Sequence, residues 1–213
     1  MGIQERRIRD RQRRIREIIT AAKNIFLSKG FSGTTMNDIA DHSDLSRRTL
    51  YHYFNSKEEV SIAAACETLE ELLGQIDLVH RAEENGIGRL RLILEIYRRM
   101  YDTDPAGFQF IKNFSETLYV LGKNNPFVLQ CFELIRRIIE AVSVFITEGI
   151  ADGSVRAIAE PEKLATTLVS LVHSAIQNAV GDNDVIRLAT ASSSQEMLEE
   201  AFSIFNIYLQ PEI

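Results

Sequence analysis

An all-α protein of about nine helices is predicted by three observations. Apolar residues recur at three- and four-residue spacing along most of the 213-residue chain, no sustained alternating run occurs, and there are only four prolines. Three of those prolines, in Asp104-Pro105, Asn125-Pro126 and Glu160-Pro161, stand where a helix would begin, the first two directly after a capping side chain. With 45% hydrophobic and 25% charged residues the composition is that of a globular protein, which excludes a disordered or collagen-like chain. The length suits one to two domains.

In order along the chain, Ile15, Ile18, Ile19, Ala22, Ile25 and Phe26 form one apolar stripe, closed by Gly30 as a helix C-terminus. Thr35 with Asp38 caps a short helix to about His42, and Ser46 caps another to about Phe54. Ser56 and Glu59 make an S-x-x-E capping box for a helix reaching about His80. Further helices are expected at roughly 87–103, 105–120, 126–150, 161–180 and 194–209 from apolar periodicity and the proline starts. The Gly, Asp, Asn and Ser of residues 181–194 read as a mobile connection.

Charge divides the chain. Residues 1–57 hold 12 basic and 6 acidic side chains, whereas the remainder holds 12 and 24, so the net −6 hides a +6 head on a −12 body. Such asymmetry is expected when one part meets a polyanion. Within the head, two short helices flank the tight turn His42-Ser43-Asp44-Leu45, the dimensions of a helix-turn-helix that seats a helix in the major groove of DNA. Leu50 and Phe54 face inward, which leaves a cationic and aromatic outer side of Arg47, Arg48, Tyr51 and His52. Arginine can pair with guanine O6 and N7, and Ser46, Thr49 and Tyr51 can donate to phosphate or meet a thymine methyl.

The segments Gly30-Phe31, Thr34-Thr35-Met36-Asn37-Asp38-Ile39-Ala40, Leu45-Ser46-Arg47-Arg48-Thr49-Leu50-Tyr51-His52-Tyr53-Phe54 and Ser56-Lys57-Glu58-Glu59 resemble the N-terminal domain of TetR-family transcriptional regulators, closely over about residues 13–60. The resemblance implies a basic arm at 1–12, a DNA-binding domain at 13–57 and an effector-binding and dimerisation domain at 58–213. It also implies a repressor that binds a palindromic operator as a dimer and is released by a small effector. By position, Thr35 and Tyr51 would contact the DNA backbone, Arg47, Arg48, Thr49 and His52 would face the groove, and Lys57 would meet phosphate. Two residues depart from the family's habit of glycine: Asp44, which tolerates a left-handed turn better than most residues, and Arg48, whose long cation could add a base contact. Tyr53 and Phe54 are expected to pack behind the reading helix.

Seven arginines from Arg6 to Arg16 precede the motif. They suit an arm, disordered in the free protein, that contacts phosphate or enters an A/T-rich minor groove; a solvated tail adding only nonspecific attraction is the plainer alternative.

For the larger domain, Tyr97 and Tyr101 lie four apart on a helix with Leu90, Ile93 and Leu94, and Phe110, Asn113 and Phe114 make a similar face on the next. By resemblance this region walls an apolar effector pocket, although core packing accounts for the same pattern. A polar stripe of Thr166, Ser170, His173 and Gln177 suits a ligand's hydrogen bonds, a dimer rim or water. Leu164, Leu168, Leu171, Ala175 and Ala179, together with Met197, Leu198, Ala201, Phe202, Phe205, Tyr208 and Leu209, supply stripes wide enough for core plus a homodimer interface through the last two long helices.

Nothing points to a metal or cofactor. The four histidines show no i, i+4 pair, and Cys66 and Cys131 have no partner at metal-ligand spacing. Glycine-rich phosphate loops, G-x-S-x-G and H-E-x-x-H are absent, which argues against an enzyme. No apolar run approaches a membrane span, two cysteines are too few for a disulfide framework, and the expected compartment is the cytoplasm. An alternative keeps DNA binding but makes the C-terminal domain a dock for a protein partner.

Overall fold

The computed structural model describes residues 2–112, 114–179 and 194–211. These residues form ten helices: α1 (Ile3–Lys29), α2 (Met36–His42), α3 (Arg47–Tyr51), α4 (Lys57–Val79), α5 (Gly86–Thr103), α6 (Pro105–Lys112), α7 (Phe114–Leu121), α8 (Pro126–Asp152), α9 (Pro161–Ala179) and α10 (Ser194–Leu209). Residues 181–193, expected as a connection, lie outside the described residues.

Local chemistry sets the boundaries in the head. Gly30 ends α1 at φ 75°, donating to Phe26 O. Thr35 and Asp38 cap α2 reciprocally: the Thr35 hydroxyl accepts from the Asp38 amide at 3.2 Å, and Asp38 Oδ2 accepts from the Thr35 amide at 2.8 Å. The Ser46 hydroxyl caps α3 through the Thr49 amide at 3.1 Å. Ser56 caps α4 as expected, but the second half of the box is displaced by one residue. Glu59 accepts from the Asn55 amide at 2.7 Å and from Asn125 Nδ2 at 3.1 Å, which ties the head to the loop before α8.

One boundary differs from expectation. α1 starts at Ile3, so the segment expected as a disordered arm is helical from its third residue. The helix expected over 105–120 corresponds to α6 and α7, which flank Asn113, a residue outside the described ones.

α4 is the spine, packing on α1 in the head and on α5, α6, α7 and α8 in the body. α8 also packs on α5 and α9, and α10 lies on α9 and α5. α5 and α8 come together at Gly86 and Gly149, where their backbones touch. The Gly86 amide donates to Asp152 Oδ2 at 2.8 Å and the Ile87 amide to Ser154 Oγ at 3.1 Å. The Ser154 hydroxyl first, then the Gly86 and Ser154 amides, hold the Asp152 carboxyl below the usual carboxylate range.

On α9 Leu168 is buried and Leu164 and Ala175 pack against the core as expected, Ala165, Val169 and Val172 widen that face, and Leu171 is half-exposed. α10 buries Phe202, Phe205 and Leu209 and leaves Ile204, Ile207 and Tyr208 outside. Cys66 and Cys131 are buried between α4 and α8, their thiols near Phe127 O (3.3 Å) and Ile62 O (3.7 Å). The Cys131 thiol beside it and burial push the Cys66 thiol far above its ordinary range, so it stays protonated and unreactive.

Candidate functional site

α3 is short, and what fixes it is Leu50, fully buried, together with its capping serine. Phe54, also fully buried, stacks on Phe127 of α8 with centroids 5.7 Å apart, and Tyr53 is half-buried. With these side chains turned inward, Ser46, Arg47, Arg48, Thr49, Tyr51 and His52 are all exposed. The outward face expected from spacing is therefore brought together on one short helix, and Thr35 is exposed at the cap of the bracing helix. The Ser46 and Thr49 hydroxyls bond each other at 2.8 Å, presenting a local donor and acceptor pair.

The turn has the anticipated conformation. Asp44 is the one non-glycine with positive φ among the described residues, at 52°. Asp44→Val is expected to destabilise by about 1–2 kcal/mol, because a branched side chain is poorly accommodated in the left-handed region. Asp44→Gly should stay within about 0.5 kcal/mol of the parent, the released strain being offset by a looser unfolded chain. Urea denaturation of the two variants checks the pair.

Lys57 departs from expectation. Its ammonium points inward, donating to Phe31 O and Thr34 O at 3.0 Å each, with Nζ 4.7 Å from the Phe31 ring centroid. It clamps the α1–α2 loop to the start of α4, so phosphate contact is not carried forward for it. The spacing that matched it to the motif holds no information about which way the ammonium turns.

The five proposed effector residues with described side chains do not meet at one cavity. Tyr97 lines a wholly apolar cavity of about 40 Å³ with Leu90, Ile93, Leu94, Val142, Leu168, Val169, Val172, Phe205 and Leu209, from α5, α8, α9 and α10. Phe110 instead packs edge-on against Phe26 of α1 at 5.5 Å, and Phe114 against Phe132 at 5.7 Å. Tyr101 is half-buried against the core rather than among the cavity's lining residues. The exposed Thr166 and Ser170 hydroxyls bond carbonyls of their own helix. The Gln177 side chain and Asn113 lie outside the described residues.

His173, half-buried, gains a partner that spacing did not reveal: its Nε2 is 3.2 Å from the Tyr97 hydroxyl. Burial pushes the Tyr97 phenol up and lowers the His173 imidazole to about 4. The phenol thus stays protonated, and it donates to Nε2 when the imidazole carries its proton on Nδ1. A histidine held neutral in the fold binds its proton more readily once unfolded. Stability is therefore fully present above pH 6.5 and falls as pH drops toward 4, by about 1–3 kcal/mol. His173→Gln should flatten that part of the pH–stability curve measured by urea denaturation.

Contacts between head and body are specific. Besides Phe26–Phe110 and Phe54–Phe127, Lys23 of α1 pairs with Glu67 of α4 at 3.2 Å and Asp104 at 3.4 Å. Sequence spacing carried no signal for these, since their partners lie 44 to 84 residues away.

An exposed cationic helix braced by a second helix and seated on a larger helical body defines a helix-turn-helix DNA-binding regulator. Residues 18–64 match the family model "Bacterial regulatory proteins, tetR family". Among curated relatives, YfiR of Bacillus subtilis, a transcriptional regulator, is 27% identical over 80% of this chain and 82% of its own. The transcriptional repressor AcnR of Corynebacterium glutamicum is 24% identical over 86% of both chains. The transcriptional activator FasR of Mycolicibacterium smegmatis is 27% identical over 47% of this chain, which spans under half, 46%, of that protein. A TetR-family regulator from Agrobacterium tumefaciens superposes with a TM-score of 0.72 at 14% identity, covering 94% of this chain and 99% of that one. FadR of Thermus thermophilus, a repressor crystallised with lauroyl-CoA, does so with a TM-score of 0.60 at 16% identity, covering 93% and 96%. Residues 18–64 thus resemble the DNA-binding domain of the TetR family of transcriptional regulators, and the described residues share the fold of TetR-family structures.

Proposed function

We propose that the protein is a ligand-responsive repressor that binds a palindromic operator as a homodimer and leaves it when a largely apolar effector binds the body. The observation that carries the DNA half is the outward cluster of Arg47, Arg48, Thr49, Tyr51 and His52 on a helix anchored by Leu50. Arginines there supply guanine contacts, while Ser46 and Thr35 supply phosphate contacts. AcnR, described as a repressor, supports the direction of regulation.

Support for the dimer comes from Leu171 on α9 and Ile204, Ile207 and Tyr208 on α10, apolar residues that the monomer leaves exposed. Burying such a face against its symmetry mate closes a four-helix bundle. Size-exclusion chromatography with light scattering should find a dimer for the parent and a monomer-shifted equilibrium for Ile204→Glu/Ile207→Glu.

The apolar cavity supports the effector half. It is far below the roughly 300–1,000 Å³ of a ligand site, so an effector must part α9 and α10 from α5 and α8 to enter. The lauroyl-CoA bound by FadR has a long apolar chain of the kind this lining would accept. Movement of the body would reach α3 through Phe127–Phe54 and α1 through Phe110–Phe26 and Asp104–Lys23. An effector of this kind shifts operator affinity only by its preference for the released form, about 1–3 kcal/mol in typical couplings. Operator affinity with and without saturating fatty acyl thioester tests the compound class, with a weakening of about 5- to 150-fold expected.

A further inference from the structure

The first turns of α1 form a helix that buries no side chain. Every described side chain from Gln4 to Arg13 is exposed, the single isoleucine Ile8 included, and the first buried residue of α1 is Ile18. A helix with no apolar stripe is not held by burial. Its charges also oppose one another: Arg7 and Arg11, and Arg9 and Arg13, stand at i, i+4, while Arg6 and Arg9 stand at i, i+3. Arg13 and Arg14 are compensated by Asp10 and Glu17 at 2.7 to 3.8 Å, whereas Arg6 and Arg7 form no ion pair among the described residues. Such an extension gains most from an external polyanion.

A contact of Arg11 orients it. The Arg11 guanidinium lies 5.3 Å from the Tyr53 ring centroid, and Tyr53 meets His52 edge-on at 5.7 Å. The extension therefore leaves the body beside the C-terminal end of the reading helix.

Resting on the DNA-binding reading above, we propose that Arg6, Arg7, Arg9 and Arg11 form a second nucleic-acid contact that tracks the phosphate backbone of duplex DNA outside the segment read by α3. A helix with side chains is about 10–12 Å across and the minor groove about 6 Å wide, so the extension rides on the phosphates rather than entering that groove. Of the phosphate and minor-groove contacts that the composition allows, the helical extension suits the first. Its contribution is sequence-independent affinity, and each phosphate neutralised releases counterions.

The test is a salt titration of full-length protein on A/T-rich and G/C-rich random duplexes of about 40 bp, comparing the parent, R6Q/R7Q/R9Q/R11Q and R47A/R48A. Glutamine keeps helix propensity, all four positions are exposed, and loss of the Arg11–Tyr53 contact costs at most about 1 kcal/mol, so thermal melting should change little. The expected result is a log K against log salt slope shallower by about 2–4 in the quadruple variant on both duplexes, at roughly 0.9 per phosphate. R47A/R48A should retain the contribution of the extension. An unchanged slope in the quadruple variant, with a reduced one in R47A/R48A, overturns the phosphate-tracking role and leaves the DNA-binding reading intact. A parent protein that binds neither duplex overturns both. A preference for A/T-rich DNA lost only in the quadruple variant indicates minor-groove entry and overturns the proposal. Light scattering that finds low-salt association beyond a dimer, lost in the quadruple variant with no change in slope, assigns the extension to the acidic body of a second copy and likewise overturns it.

Discussion

Arg47→Ala/Arg48→Ala is expected to weaken operator binding by at least about 100-fold while leaving the melting temperature unchanged, since a good bidentate base contact is worth about 1–3 kcal/mol. Both side chains are exposed on α3, whose position is set from behind by Leu50 and Phe54. Removing the guanidiniums thus deletes chemistry without disturbing the helix. Affinity for nonspecific duplex should fall less, because phosphate contacts from Ser46 and Thr35 survive. Fluorescence anisotropy with specific and random duplexes separates the two losses. Equal loss on both would mean that these arginines hold only backbone.

Gly86→Ala is expected to cost about 3 kcal/mol or more in urea denaturation. A Cβ at that position would fall inside contact distance of the Gly149 Cα and amide nitrogen and 2.7 Å from Phe145 O, all backbone atoms that cannot rotate away. Separating α5 from α8 would also break the Gly86 and Ile87 amide bonds to Asp152 and Ser154. Because α5 and α8 both line the apolar cavity, the substitution should also change its shape. Gly74→Ala is the control of opposite sign. A Cβ added at Gly74, inside α4, would meet nothing within 4 Å, so alanine should stabilise by about 0.5–1 kcal/mol through helix propensity.

Features encoded locally were legible in the chain. The caps at Thr35, Ser46 and Ser56, the glycine at the end of α1 and the left-handed Asp44 each follow from a few neighbouring residues, and each is observed. The inward pair Leu50 and Phe54, and hence the outward set on α3, followed from helical spacing alone. What escaped was set by distant contacts or by the lack of a period. The start of α1 carries arginines in place of an apolar stripe, so periodicity is silent about a helix there. Spacing puts Tyr97, Phe110 and Phe114 on inward faces but does not say that one lines a cavity, another meets Phe26 and the third Phe132. Lys57 is similar: an exposed-looking cation at a helix start turns inward because three loop carbonyls converge on it. Leu171 on α9 faces outward for a related reason. Leu171 matches the apolar pattern as well as Val172 does, and only packing against α8 and α10 decides which is core.

The proposed function requires α3 to be the reading element of a symmetric dimer. Selection of bound sequences from random DNA, followed by footprinting, tests it directly. The predicted result is a palindromic site whose half-site centres lie about 34–36 Å apart, one helical turn, with Arg47→Ala/Arg48→Ala relaxing the choice of base inside each half-site. Enrichment of no sequence, or of a single asymmetric site insensitive to those two arginines, would contradict it.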